Sequence, residues 1–177
     1  MTNRIAALPA ACLAAVLMSG AALAQEMSAP KGDPILVIDP ILVIDGAIEE
    51  ANEGGRVVLD LAMLEALPAV TFETSTTWTE GVQVFTGVPL VTLMKAVGAT
   101  GSALRATALN DYSAEIPRED WVEDGPIVAY LRNGETMPVR EKGPLWVVYP
   151  YDRNSAYQSE VIYARSIWQL ARITVTE

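Results

Sequence analysis

The chain has 177 residues, 12 basic against 22 acidic side chains and no histidine, for a formal charge of −10. That balance excludes nucleic acid and anionic membrane surfaces as natural partners. A lone cysteine and no histidine leave too few soft ligands for a zinc or iron centre, and no nucleophile–histidine pair for covalent catalysis.

Met1 to Ala24 reads as a secretory signal peptide. Arg4 supplies the positive start, an apolar run extends from Ile5 to Met18, and Ala22-Leu23-Ala24 gives the small-x-small cleavage pattern. The run is short for a retained membrane anchor, and no second segment is long enough to span a bilayer, so no membrane insertion is expected after cleavage. The style of the signal points to the periplasm. Cleavage before Gln25 would remove Arg4 and Cys12, leaving a more acidic chain with no disulfide. The remaining length, roughly 150 residues, suits one domain. Residues 25–32 read as a linker and 33–177 as that domain.

The domain opens on a tandem copy, Asp33-Pro34-Ile35-Leu36-Val37-Ile38 and then Asp39-Pro40-Ile41-Leu42-Val43-Ile44. Each copy reads as a short β-branched strand after a proline break. It is either a slip in the gene or an apolar edge on which a partner strand pairs. Next come a strand over 56–59, a helix over 61–67 capped by Asp60 and stopped by Pro68, and a strand over 70–73. Phe85 to Leu90 reads as a turn leading into a helix that ends at Gly98. Strands are expected at 104–109 and 112–116 around an Asn110-Asp111 corner, and at 127–131 before an Asn133-Gly134 hairpin turn. A central apolar strand (145–149), a helical turn (161–168) and a closing strand (171–175) complete the pattern. Many strands, few short helices and no βαβ period predict an α+β domain with mixed sheets.

Five segments in order resemble the oxidoreductase molybdopterin-binding domain, the fold of the sulfite oxidase superfamily. They are Phe85-Thr86-Gly87-Val88-Pro89-Leu90, then Asn110 to Pro117, Ala129 to Glu135, Lys142 to Pro150, and Ser166-Ile167-Trp168-Gln169-Leu170. Enzymes of that family hold molybdenum on a cysteine thiolate ahead of the Gly-Val-Pro-Leu motif. Here the region reads Thr74-Ser75-Thr76-Thr77-Trp78-Thr79-Glu80, and a threonine hydroxyl is a poor substitute for a soft thiolate. The chain is therefore similar to the small, periplasmic, cysteine-free branch of the family. That resemblance implies a non-catalytic protein that binds a metal-free pterin and reports it to a membrane-bound cyclic-di-GMP enzyme or sensor kinase. The alternatives are a molybdenum-cofactor (molybdopterin) oxidoreductase and a ligand-free interaction scaffold.

A pterin is a flat bicycle whose amino-pyrimidinone edge carries adjacent N–H donors, so its site needs a stacking ring, a carboxylate and a few donors. The candidates are Thr77, Trp78, Asn110, Asp111, Tyr112, Tyr149, Tyr151, Arg153, Arg165 and Trp168. Each has a plainer reading. Trp78, Tyr112, Tyr149 and Trp168 can be core, Asp111 can hold its own corner, and Arg153 can belong to an Asp152-Arg153 turn. Arg165 can pair with Glu160 or Asp152. Met137, Trp121 and Trp146 read as packing residues, and the Glu49-Glu50 and Glu119-Asp120 pairs as solvated faces. The one S-x-x-K match, Ser28 to Lys31, lies in the linker, where no catalytic site is held rigid.

Overall fold

The computed structural model describes residues 40–177. The expected signal peptide, the expected linker and the first hexapeptide copy lie outside the described residues. The second copy supplies β1, Leu42–Gly46, which buries Leu42 and Ile44. It pairs antiparallel with β2, Val57–Leu59, and parallel with β10, Leu170–Thr176. β10 continues antiparallel to β5, Ala103–Ala108, and β5 to β6, Ser113–Pro117. The first sheet thus runs β2-β1-β10-β5-β6. The second copy is therefore an interior strand, not the exposed edge that its apolar sequence allowed.

Gly46 fixes where that strand ends. Its φ of 91° is disfavoured for side chains, and a Cβ there would run into the backbone carbonyl of Val175. Asp60 caps α1, Leu61–Glu65, by accepting from the Met63 N–H at 2.8 Å, as its place before the apolar run predicts.

The second sheet runs β3-β4-β7-β8, with β9 also on β7. Its strands are Val70–Ser75, Val82–Pro89, Ile127–Arg132, Glu135–Thr136 and Trp146–Val148. Here two expectations are corrected. Phe85 to Pro89 is the end of a strand rather than a turn; only at Leu90 does the chain enter α2, Leu90–Ala96. The reason is tertiary: β4 is paired on both sides, by β3 and β7, which overrides the turn-like Gly and Pro. Gly87 sits at a register shift, where a side chain would collide with the Val128 backbone. The apolar run ending at Tyr149 is also not central. β9 makes a ladder with β7 alone, and its other side meets irregular chain through the Val147 N–H on the Ile167 carbonyl and a bridge from Trp146 to Trp168.

The helical turn expected at 161–168 is α3, Glu160–Arg165, capped by Ser159 on the Ile162 N–H. The core joins the two sheets. Leu104, Ile116, Phe85, Leu93, Trp146 and Ile173 are all fully buried. α3 packs on β6. It lies beside the corner from Leu109 to Tyr112, and a cleft opens between them.

Candidate functional site

A cleft of about 430 Å³ opens between the β5–β6 corner, the loop after β3 and the chain from α3 to β10. Its walls include Trp78, Tyr112, Tyr163, Trp168, Asn110 and Ser166. Trp78 is the hub: its ring centre lies 5.5 Å from Trp168, 5.7 Å from Tyr163 and 5.8 Å from Trp146, all edge-to-face. Such pairs follow the ring quadrupoles and hold each other's orientation, so the walls are pre-set.

Trp78 is aimed by its own loop. The Thr76 Oγ1 accepts from the Trp78 N–H at 3.1 Å and shares a 2.8 Å hydrogen bond with the Thr79 hydroxyl. Asp152 ties the loop's start down, its Oδ2 accepting from the Ser75 N–H at 2.6 Å and its Oδ1 from the Ser75 hydroxyl at 2.7 Å. Those bonds, the side-chain one foremost, hold the Asp152 carboxyl below its ordinary value. At the corner, the Asn110 Oδ1 accepts from the Tyr112 N–H at 3.2 Å, and Asn110 itself lines the cleft. Asp111 adopts φ 64° and is exposed.

Among the sequence candidates, the structure brings Trp78, Asn110, Tyr112 and Trp168 together in the cleft. Thr77 and Tyr151 line an adjoining recess of about 240 Å³, which shares Tyr163 with the cleft and adds Ser75, Asp152 and Gln158. The other four stand elsewhere. Asp111 turns the corner outside the lining. Arg153 lies 5.3 Å over the Phe72 ring and 3.9 Å from Asp124. Tyr149 is fully buried and donates to the Asp120 Oδ2 at 2.7 Å. Arg165 donates to that same oxygen at 2.9 Å, so its partner is neither Glu160 nor Asp152. Among the described residues no carboxylate lines the cleft itself.

Burial, with the Asp120 charge behind it, pushes the Tyr149 phenol far above its usual range. Burial also raises Tyr151 to about 12, against the opposing hydrogen bond of its hydroxyl to the Ser166 Oγ at 2.6 Å. Both are neutral framework groups. Tyr163, Ser166, Lys142 and Asp120 were missed as site or framework residues. Tyr163 and Ser166 sit within the expected helical turn, and helical spacing from the Ser159 cap would have placed Tyr163 one turn in. Asp120 read as solvated because its partners lie 29 and 45 residues away in sequence. Lys142 Nζ lies 5.5 Å from the Trp168 ring centre, a cation over one ring of the cleft wall.

These residues do not fit a thiolate-held metal. Residues 40–177 contain no cysteine, and no group of three or more metal-type ligands gathers among the described residues. The threonines of the Trp78 loop carry hydroxyls where a soft anion is needed. The rings and the Asn110 amide suit the faces and a carbonyl of a flat heterocycle, without the carboxylate expected opposite its N–H edge.

The family model of the oxidoreductase molybdopterin-binding domain matches residues 55–176. No curated relative matches by sequence. A similar solved structure is the sulfane dehydrogenase SoxCD from Paracoccus pantotrophus, with a TM-score of 0.57 and 20% identity over 76% of this chain. The chain spans only 37% of that protein, and at this identity the likeness concerns the fold. The matched segment contains both sheets from β2 onward and every wall of the cleft, and on it the chain belongs to the oxidoreductase molybdopterin-binding domain family.

Proposed function

We propose that this protein is a secreted, periplasmic pterin-binding module without a molybdenum–thiolate centre, which reports its ligand to a membrane-bound signalling partner such as a cyclic-di-GMP enzyme or a sensor kinase. The observation that carries the reading is the aromatic cleft: Trp78, Trp168, Tyr163 and Tyr112 around one opening, with an amide donor and no cysteine. Flat heterocycles bind such walls through ring faces and edges, with a few polar groups fixing their orientation. Trp78 and Trp168 supply the ring surfaces, the Asn110 Nδ2 donates to a ring carbonyl, and the recess beside Thr77 accommodates a polar side chain. A pterin held here supplies no metal chemistry; its role is to be present or absent. If a partner prefers the loaded protein, ligand and partner strengthen each other's binding by the same factor.

The test is made on mature protein from its native compartment, denatured and analysed for pterin by fluorescence and mass spectrometry, with molybdenum measured on the same sample. A metal-free pterin at near one per chain supports the reading. Near-stoichiometric molybdenum would establish the oxidoreductase instead. No pterin, with none bound on addition, would leave a scaffold for protein contacts.

A further inference from the structure

Seven large apolar side chains stand exposed among the described residues; one, Tyr112, lines the aromatic cleft, and Leu109, Val161 and Val139 lie on segments next to its lining. Leu109 and Tyr112 are each 54% exposed at the two ends of the β5–β6 corner. Val161 is 59% exposed on α3, one helical turn before Ala164, which lines the cleft. Val139 joins them through Gln169. The Gln169 Nε2 donates to the Val139 carbonyl at 2.7 Å, while the Leu109 N–H donates to the Gln169 carbonyl at 2.9 Å. Apolar groups scattered singly are ordinary, but several grouped beside one concavity mark a surface that is covered.

We propose that this rim is a protein-docking surface, and that its occupant is a segment apolar at the centre, with Lys or Arg at its edge, that closes over the cleft. Charge selects that occupant. Asp111 stands between Leu109 and Tyr112 and Glu160 adjoins Val161, and neither forms an ion pair among the described residues. Arg140 and Lys142 adjoin Val139 in the chain, so the partner's basic edge faces the corner and α3. The inference rests on the binding reading only in placing a ligand beneath the partner.

The experiment puts the photo-crosslinking residue p-benzoylphenylalanine at Leu109 or Val161 of the full chain, in the cells that make it, with Val70 and Val82 on the second sheet as controls. Both rim positions are expected to join the same protein, through a peptide rich in Lys or Arg, and the controls none. The double variant Asp111→Asn, Glu160→Gln keeps a side chain that tolerates positive φ and is expected to cut the adduct about fivefold, as added salt should. No adduct, an adduct with another copy, equal yields at the controls, or a yield unmoved by the double variant would each overturn the proposal. Pterin content of the same preparations separates the two readings. Rim adducts on pterin-free protein leave the docking surface standing and remove the ligand; pterin without adducts does the reverse.

Discussion

The Asp120 Oδ2 receives two donors at once, Arg165 Nη1 at 2.9 Å and Tyr149 Oη at 2.7 Å. Arg165 ends α3, and the next residue, Ser166, lines the cleft. This carboxylate therefore fastens the helix that carries one wall of the site. Asp120 and Arg165 side chains are 14% and 24% exposed, so water replaces the bond only poorly. Asp120→Ala is expected to destabilise by about 2–3 kcal/mol, because it strands a buried phenol and a largely buried guanidinium. Asp120→Asn keeps an acceptor and should cost less, about 1–2 kcal/mol. Urea unfolding checks both. An Ala variant as stable as the parent would mean that the apolar contacts of Ile162 alone hold α3.

Trp78 stands at the centre of the aromatic walls and is only half-buried. Trp78→Ala should lower stability by about 2–4 kcal/mol and weaken pterin binding at least tenfold, since it removes the ring on which the others lean. Trp78→Phe keeps a ring and should restore most of the stability, with part of the affinity. Fluorescence titration with a pterin, beside thermal melts, separates the two effects. An affinity indifferent to both changes would place the ligand elsewhere.

The paired bonds from Ser75 to Asp152 hold the Trp78 loop to the turn after β9. Because the folded carboxyl titrates below its usual value, the contact adds stability at neutral pH and loses it as pH falls through the acidic carboxylate range. The group is exposed, and solvent screening keeps the contribution below about 1 kcal/mol. Ser75→Ala should flatten that part of the pH profile and leave the neutral-pH fold intact. Pterin affinity should fall as pH drops in the parent and change less in the variant. Identical acid limbs for the two proteins would count against the loop clasp.

The sequence exposed the parts of this fold that depend on local chemistry. Asp60 caps where its position before Leu61 predicts, the Asn110-Asp111 corner turns, and Asn133 and Gly134 both take positive φ between β7 and β8. What it hid depends on partners distant along the chain. Phe85 to Pro89 has the composition of a turn and becomes strand because β3 and β7 flank it. Tyr149 and Arg165 carry the polar groups of a ligand site yet converge on Asp120, a contact that no local pattern encodes. The cleft's aromatic membership was half legible, since Trp78 and Trp168 lie in recognisable segments. Tyr163 became a wall only once α3 was set against β6.

The duplicated hexapeptide gives a last test, of register. The two copies are identical, yet β1 is formed by the second. Six residues before Gly46, in the equivalent place after the first copy, stands Pro40. A proline fixes φ near −65° and brings a ring, so it cannot take the Gly46 slot against Val175, where φ is 91°. The strand slot therefore accepts only the copy followed by glycine. Ile44→Asp puts a charge into a fully buried position and should cost more than about 4 kcal/mol, enough to unfold the domain, because the first copy cannot replace the second. Adding Pro40→Gly to that variant gives the first copy the required ending, with Leu36-Val37-Ile38-Asp39 ahead of glycine. The double variant should regain cooperative unfolding, with the six displaced residues carried as a surface loop at an entropic cost of about 1–2 kcal/mol. Circular dichroism and urea titration of the three proteins decide it. If Ile44→Asp folds without the second change, proline does not guard the register. If the double variant remains unfolded, the slot reads more of the chain than its terminal glycine.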